Sequence, residues 1–240
     1  MTASLDDPTG PQAQVGAVVA AGGASRRMEG RDKLFAPLNG VPLLAYSVEA
    51  LEGCPSVGDI VVVLAERNLE AGHRLAKERG WRKVVGLCPG GLRRQDSVRR
   101  GLEALPPCQW VLVHDGARPF LDSDIILRGL AEARVTGAAV AAVPLVDTIK
   151  AVSSEGTVQA TVDRTSLWAV QTPQMFLRAL LERAHQEIQE GVTDDASMVE
   201  RLGHTVRVFP GSHFNLKVTT PEDLRLAEAL LLRRREGRCG

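Results

Sequence analysis

Short apolar runs alternate with helical segments along most of the chain, and this alternation constrains the fold more than any other feature. Five runs have the length and composition of buried strands: Val15–Ala21, Asp59–Ala65, "KVVGLCP" (83–89), Trp110–His114 and Ala138–Val143. Helices are predicted between them at Pro42–Leu51, Asn68–Arg79, Ser97–Leu105 and Asp122–Val135. Strands that alternate with helices in this way predict an α/β fold, with a mostly parallel sheet and helices on both faces.

The pattern changes after the fifth strand. Residues 147–164, "DTIKAVSSEGTVQATVDR", carry β-branched residues on either side of the turn signal Ser153–Gly156, which predicts a β-hairpin arm. An isolated hairpin with so little apolar surface is marginal in water, so we expect it to pack on a partner subunit in a homodimer. A helix is predicted from Pro173 and a last one over Pro221–Arg235. The apolar stripe of the former is Phe176, Leu177, Leu180, Leu181, Ala184 and Ile188.

Length, charge and composition narrow the class of protein. With 240 residues, we expect one domain over 15–232, flanked by tails at 1–14 and 233–240. The 29 basic and 29 acidic residues cancel, which argues against a nucleic-acid partner. The four cysteines lack zinc-site spacing. With neither a signal peptide nor a membrane-length apolar run, we expect a cytoplasmic protein without a membrane partner.

The first candidate site follows the first strand, in "VVAAGGASRRMEGRDKL" (18–34). Neither GxxxxGK[ST] nor GxGxxG is present, which argues against a P-loop ATPase and an ordinary dehydrogenase. Glycines after a buried strand nevertheless leave backbone N–H groups free to face an anion. Arg26, Arg27 and Lys33 follow them, and cations of this kind bind phosphate oxygens. The segment predicts a phosphate site; a flexible polar loop is the alternative.

Two further loops follow strands of the same predicted sheet. In "PGGLRRQDSVRRGL" (89–102), Gly90, Gly91 and Ser97 are candidates to approach a planar base, although Asp96 or Ser97 also suits a helix cap. In "VLVHDGARPF" (111–120), Asp115 ends a strand and suits Mg²⁺, although a turn ion pair with Arg118 fits equally. Because the carboxyl ends of parallel strands share one edge, we expect the three loops to form one site.

Taken together, these motifs resemble the cytidylyltransferases of sugar and polyol phosphates, and most closely the 2-C-methyl-D-erythritol 4-phosphate cytidylyltransferase family. The resemblance continues through "DTIK" (147–150), "TVDR--LW" (161–168), "QTPQ-F" (171–176), "TDDAS" (193–197) and "N-KVT-PEDL" (215–224). It covers nearly all of the chain from Val15 to about Leu230. It implies a Rossmann-like three-layer nucleotidyltransferase fold with a protruding β-hairpin arm, and transfer of CMP from CTP with Mg²⁺ as cofactor.

The resemblance also implies a role for individual residues. Arg27, Lys33 and Lys217 would contact the phosphates of CTP as catalytic residues, and Asp115 would coordinate Mg²⁺. The nucleotide would be held by Ala20, Ala21, Gly22, Gly23, Gly91 and Ser97. The methylerythritol phosphate would be bound by Arg118, Thr148, Arg164 and Thr193. In this family the hairpin is exchanged between subunits, so Thr148 and Arg164 would serve the neighbour's site.

The chain departs from the family pattern at two points of the first loop. It reads "GGASRRM" where a Gly-x-Gly-type loop is common, and Asp32 precedes Lys33 where proline is common. Either Arg26 or Arg27 therefore remains a candidate for the main phosphate contact. The competing interpretations are a ribitol-5-phosphate cytidylyltransferase, which shares the nucleotide motifs, and a non-catalytic nucleotide-binding protein of the same fold.

Overall fold

The computed structural model describes residues 15–23 and 32–236, and a seven-stranded sheet forms its centre. In spatial order the strands are β11 (Arg207–Pro210), β7 (Ala138–Pro144), β10 (Trp168–Leu177), β6 (Trp110–Asp115), β1 (Val15–Ala21), β4 (Val57–Leu64) and β5 (Val84–Pro89). The strand pairs are parallel except those of β10, which runs antiparallel to both β6 and β7. Two small hairpins lie outside this sheet: β2 (Pro37–Leu38) with β3 (Val41–Pro42), and β8 (Ile149–Val152) with β9 (Val158–Val162).

Helices cover both faces of the sheet, which gives three layers. One apolar core lies beneath α1 (Leu43–Glu52), α2 (Leu69–Arg79), α4 (Ser123–Thr136) and α7 (Pro221–Glu236). The opposite core lies beneath α3 (Arg94–Ala104), α5 (Arg178–Glu187) and α6 (Asp195–Arg201). A 3-10 turn, Glu66–Asn68, precedes α2. No helix in the described ranges is both long and apolar enough to span a membrane.

Successive side chains of each central strand point to opposite faces of the sheet, and so contribute to the two cores in turn. In β1, Val15, Ala17 and Val19 face one core, whereas Val18 faces the other. Helix α3 approaches this strand through Gly101, where an added Cβ would lie 2.5 Å from Val18 Cγ1 and 2.7 Å from Val63 Cγ2. The close approach fixes α3 against β1 and β4, and α3 carries one wall of the site.

The predicted α/β fold is confirmed, and so are the first four strand–helix alternations; every boundary except the start of α3 agrees within two residues. The helix predicted over Ser97–Leu105 begins earlier, at Arg94, because Arg93 is the N-cap and Asp96 closes a capping box. The backbone N–H of Arg93 donates to Asp96 Oδ2 at 3.1 Å. Asp96 is thus part of the cap, as the alternative interpretation of this loop had it.

The helix predicted from Pro173 is wrong in its first part. Pro173–Leu177 belongs to β10, where Gln174 to Leu177 pair with β6, and the helix begins at Arg178. Phe176 is fully buried in the sheet, whereas Leu180, Leu181 and Ala184 form the buried stripe of α5 as expected. A short apolar run does not distinguish a buried strand from a buried helix, so a strand that merges into an amphipathic helix has the periodicity of one helix.

The predicted hairpin is present as β8 and β9. All five residues of β9 are exposed, and exposed large apolar side chains on and beside the arm include Val146, Val152, Val158 and Trp168. The arm is joined to the main sheet where Leu145 N donates to Leu167 O at 3.2 Å and Trp168 pairs with Pro144. The protein therefore presents an extended, partly apolar arm outside its two cores.

Candidate active site

The carboxyl ends of β1, β4, β5 and β6 meet at one edge of the sheet. Gly116 N donates to Ala20 O at 3.0 Å, and Gly90 N donates to Leu64 O at 2.7 Å. An added Cβ on Gly22 would lie 3.2 Å from the Cα of Gly90 and 3.1 Å from Ser97 Oγ. The backbones of two predicted loops therefore touch, and a Cβ at Gly22 would be in tighter contact than is usual, so glycine suits this approach.

Ser97 ties these glycines to the first turn of α3. Its hydroxyl accepts a hydrogen bond from Gly91 N at 3.0 Å and donates to Arg93 O at 3.1 Å. The side chain is buried, so it acts here as a brace for the glycine loop. The resulting wall is made largely of backbone, which suits a flat ligand ring that must approach the chain closely.

Asp115, at the end of β6, lies among three cations in the described part of the chain. Lys217 Nζ is 2.9 Å from Asp115 Oδ2, Arg118 Nε is 3.4 Å from the same oxygen, and Arg94 Nε is 3.4 Å from Oδ1. The carboxylate is only 8% exposed. Burial alone would raise the pKa of Asp115, but the charges of Lys217, Arg94 and Arg118 outweigh it and hold that pKa below its usual range.

Arg94 extends this cluster to a second buried carboxylate. Its Nη1 donates to Asp195 Oδ2 at 2.6 Å, and the Asp195 side chain is 1% exposed. Burial opposes the charge of Arg94, but Asp195 and Asp115 outweigh it and raise the pKa of the guanidinium. His185 Nε2 lies 3.7 Å from Asp195 Oδ1. The three cations thus meet two carboxylates, so this cluster of five side chains carries an excess of positive charge.

A second layer of hydrogen bonds lies beneath Asp115 and Arg118. His114 is fully buried, and burial lowers its pKa to about 4 despite the hydrogen bond with the Arg118 carbonyl. Arg118 Nη1 donates to Asn215 O at 2.7 Å, and Asn215 Nδ2 donates to Thr172 O at 2.8 Å. Lys33 Nζ donates to Val218 O at 2.9 Å, one residue beyond Lys217. Segments that are far apart in sequence are therefore connected directly at the site.

The structure brings together most of the predicted site residues that it describes. Those that meet at the sheet edge are Ala20, Ala21, Gly22, Gly91, Ser97, Asp115, Arg118, Lys217 and Lys33. Gly23 follows directly, and among the described residues other than its chain neighbours no heavy atom lies within 4 Å of a Cβ built on it. Arg26 and Arg27 lie outside the described residues, so their phosphate contact stays a prediction.

The predicted acceptor residues other than Arg118 lie elsewhere. Thr148 and Arg164 are exposed at the base of the arm, where Arg164 Nη1 donates to the Val146 carbonyl. Thr193 is exposed just before α6. No hydrogen bond or ion pair joins these three to Asp115 in the ranges that the structure covers. Their assignment to an acceptor phosphate stays a prediction.

Sequence reasoning missed four residues of the site: Arg94, Thr172, Asp195 and Asn215. Each lies inside a stretch that carries the family resemblance: "GGLRRQDSV", "QTPQ", "TDDAS" and "N-KVT". Spacing alone cannot single them out, because their partners are 21 to 101 positions away in the chain.

The side chains at the site could hold Mg²⁺ only together with oxygen ligands from a bound substrate. Within the described residues no three His, Cys, Asp or Glu side chains converge on a metal position. Asp115 supplies a single carboxylate at the edge where the phosphates are expected. Mg²⁺ is commonly held by one or two carboxylates together with substrate phosphates and water, so the residues suit an ion that arrives with a triphosphate.

Comparison with known proteins decides the family. Residues 15–233 match the family model of 2-C-methyl-D-erythritol 4-phosphate cytidylyltransferase, IspD. The chain belongs to this family. A 2-C-methyl-D-erythritol 4-phosphate cytidylyltransferase of Dehalococcoides mccartyi (strain CBDB1) is 51% identical over 218 residues, which cover 91% of this chain and 96% of the relative. One from Syntrophus aciditrophicus is 42% identical over 237 residues, covering 94% and 98% respectively.

Solved structures agree with the fold. The 2-C-methyl-D-erythritol 4-phosphate cytidylyltransferase of Thermus thermophilus superposes with a TM-score of 0.76 at 35% identity, covering 91% of this chain and 98% of that one. The 4-diphosphocytidyl-2C-methyl-D-erythritol synthase of Anaerococcus prevotii superposes with a TM-score of 0.81 at 25% identity, covering 92% and 100%. The family predicted from the sequence is confirmed, and so is the class of enzyme, a nucleotidyltransferase.

Proposed function

We propose that the protein transfers CMP from CTP to 2-C-methyl-D-erythritol 4-phosphate. The reaction releases pyrophosphate and forms 4-diphosphocytidyl-2-C-methyl-D-erythritol, a step in the non-mevalonate isoprenoid precursor pathway. The family match over residues 15–233 and relatives at about half identity support this function. The observation that carries it in the structure is the cation cluster around Asp115 beside the glycine approach of Gly22 and Gly90.

The charge of this cluster matches the demands of the reaction. The acceptor is a phosphate monoester with a second pKa of about 6, so it is largely dianionic at neutral pH and attacks the α-phosphorus in line without a general base. Two anions must therefore be aligned and the developing charge stabilised. In the proposal, Lys217 and Lys33, with Arg27, contact the triphosphate, and Arg118 contacts the acceptor.

Mg²⁺ is proposed as the cofactor, with Asp115 as its protein ligand. When bound, the ion neutralises phosphate charge, which is the chemistry it supplies to phosphoryl transfer generally. Asp115 suits this role because its pKa is held low, so the carboxylate is ionised at neutral pH. Lys217 and Arg118 share its Oδ2, which leaves Oδ1, facing Arg94, as the less crowded oxygen.

A homodimer through residues 147–164 is the proposed assembly. The exposed strand β9 and the exposed valines of the arm support it, because a lone two-stranded arm is marginal without a packing partner. In this arrangement Thr148 and Arg164 reach the neighbour's acceptor phosphate. Sedimentation at micromolar concentration tests the assembly: a dimer is expected, and a monomeric species for the intact chain contradicts it.

The function is tested by following pyrophosphate. The purified chain is mixed with CTP and Mg²⁺ and, separately, with methylerythritol 4-phosphate or ribitol 5-phosphate. Release with methylerythritol phosphate alone is the expected result. Release with ribitol phosphate alone moves the acceptor to the competing substrate, and CTP binding without release from either acceptor refutes the proposed reaction.

A further inference from the structure

The loop that carries Lys217 has no regular structure of its own. Between β11 and α7 the described chain forms neither a helix nor a strand. The two ends of this loop are tied down, because Gly211 N and Val218 N each donate to a carbonyl oxygen outside it, at 2.8 and 2.9 Å. The loop nevertheless places Lys217 Nζ 2.9 Å from Asp115 Oδ2. Further contacts must therefore set its path between the two ends.

A buried glutamine of β10 contacts the beginning of this loop. Gln171 is 8% exposed; its Nε2 donates to Ser212 O at 2.9 Å, and its Oε1 accepts from Ser212 N at 3.3 Å. Only one orientation of the amide allows both bonds, because its nitrogen only donates and its oxygen only accepts. Gln171 lies in the irregular stretch between Val170 and Gln174, where the pairing of β10 with β7 is interrupted. Irregularities of this kind redirect side chains away from the sheet.

Gly211 leaves the space that this amide occupies. A Cβ built on Gly211 would lie 2.5 Å from Gln171 Oε1, which is closer than real Cβ atoms approach other atoms. The backbone of Gly211 is not in the left-handed region, so its conformation does not require glycine. A larger residue at this position would instead displace the amide of Gln171 from Ser212.

Ser212 begins the turn that leads to Lys217. Asn215 N donates to Ser212 O at 3.0 Å, and Phe214 N donates to Ser212 Oγ at 3.1 Å. Asn215 is fully buried, and its carbonyl oxygen accepts from Arg118 Nη1 at 2.7 Å. Lys217 follows two residues later. A displacement of Ser212 therefore moves the backbone from which the Lys217 side chain extends.

We propose that Gln171 is a positioning residue of the cytidylyl transfer, which holds Ser212 through its side-chain amide and thereby directs Lys217 at the phosphates. The kinetic part of this inference rests on the proposed function. A lysine ammonium is carried on a flexible four-carbon stem, so its place depends on the backbone that supports it. Misplacing a reacting or aligning group by about 1 Å can slow a reaction about a hundredfold.

The principal variant is Gln171→Met, which keeps much of the side-chain length and removes both hydrogen bonds to Ser212. We expect kcat to fall at least about tenfold, but no further than in Lys217→Met. The control is Gln189→Met, which removes an amide that donates to two backbone carbonyls of α5, at 2.9 and 3.1 Å. The control is expected to leave kcat unchanged. Wild-type kcat in Gln171→Met overturns the proposal.

A kinetic double-mutant cycle separates positioning from a merely structural role. If Gln171 acts through Lys217, then Gln171→Met lowers kcat by less than about twofold once position 217 is already methionine. A further loss as large as the one in the wild-type background contradicts the proposal. Thermal unfolding shows whether each variant is folded at the assay temperature.

Gly211→Ala replaces Gln171→Met if that variant does not fold. Its added Cβ displaces the amide of Gln171, so the same loss of kcat is expected, again with less than about a twofold further effect in the Lys217→Met background. Wild-type kcat in folded Gly211→Ala overturns the proposal.

The position of Lys217 can also be followed without measuring activity. The chain has five lysines, so spectra of the ¹³C-lysine-labelled protein contain few Cε signals, and that of Lys217 is assigned by its absence in Lys217→Met. We expect this signal to be displaced in Gln171→Met and unchanged in Gln189→Met. An unchanged signal in Gln171→Met refutes the inference. If the wild-type chain releases no pyrophosphate, the proposed function fails, while this measurement still decides whether Gln171 places Lys217.

Discussion

Replacing Arg94 by methionine tests how the charged cluster is held together. Arg94 is 26% exposed in its side chain, and Asp195, its partner at 2.6 Å, is 1% exposed. Methionine keeps much of the length and apolar stem but removes the charge, which leaves the Asp195 carboxylate buried without its cation. Breaking a buried ion pair by removing one partner typically costs about 3–5 kcal/mol. Because Arg94 retains some exposure, we expect a loss at the lower end, about 3 kcal/mol.

The matched control lies on the same helix. Arg99 pairs with Glu103 at 3.2 Å, but the two side chains are 51% and 60% exposed, so Arg99→Met is expected to cost less than about 0.5 kcal/mol. Urea denaturation of the wild type and both variants gives the free energies of unfolding, which are compared provided that their dependence on urea concentration has the same slope. Equal losses in the two variants would refute the idea that burial of Asp195 sets the cost.

A double-mutant cycle measures the interaction energy between Arg94 and Asp195 directly. Asp195→Asn removes the buried charge, so in the Arg94→Met background it is expected to restore about 1–2 kcal/mol rather than add a further loss. Simple additivity of the two single losses contradicts a direct ion pair. Asp115 keeps Lys217 and Arg118 in all of these variants, so the cycle isolates the contact between Arg94 and Asp195.

The remaining contacts of the site and the core lead to three more predictions. Lys217→Met is expected to lower kcat about a hundredfold or more; it should lower the unfolding midpoint less than Arg94→Met does, because Lys217 is 41% exposed and Asp115 keeps Arg94 and Arg118; Lys77→Met on α2 is the control. His114 has a pKa of about 4 in the folded state against 6.5 for an ordinary histidine. As the pH falls, the unfolded chain therefore binds a proton at this histidine before the folded chain does. The free energy of unfolding should fall from pH 7 to pH 5, by at most about 1.4 kcal/mol per pH unit. Denaturation of His114→Gln should show a shallower decline, and an identical slope refutes the assignment. Gly101→Ala should destabilise by about 1–3 kcal/mol despite the higher helix propensity of alanine, because its Cβ meets valines of β1 and β4; Gly191→Ala, in open space, should not.

The sequence predicts the parallel half of the fold because each strand there is a continuous apolar run followed by an amphipathic helix. It fails at β10, since Pro173–Leu177 lies between β6 and β7 through pairings with residues far from it in the chain, and no local period reveals such partners. The sequence pattern also does not predict the short strand β11 or the helix α6.

The residues of the site also fall into those that the sequence pattern predicts and those that only the tertiary structure brings together. Gly22, Gly91, Ser97 and Asp115 follow strand ends, so the rule that parallel strands share a ligand edge predicts them to meet, and they do. Lys217 is assigned only through the family resemblance, and its ion pair with Asp115 joins segments that no periodicity connects. Arg94 and its neighbours are missed because a buried ion pair depends on tertiary packing, which composition does not encode.

The central place of β10 has a consequence for synthesis of the chain. Strand β7 pairs with β10 and β11, and both follow it in the sequence. While the ribosome makes the chain, β1, β4, β5 and β6 can assemble first, whereas the apolar strand β7 has no pairing partner until residues beyond 168 have emerged. A nascent chain halted before that point exposes β7, so we expect it to be the segment that chaperones bind and that aggregates when translation stalls. The vulnerable interval during synthesis is set by strand order rather than by strand hydrophobicity.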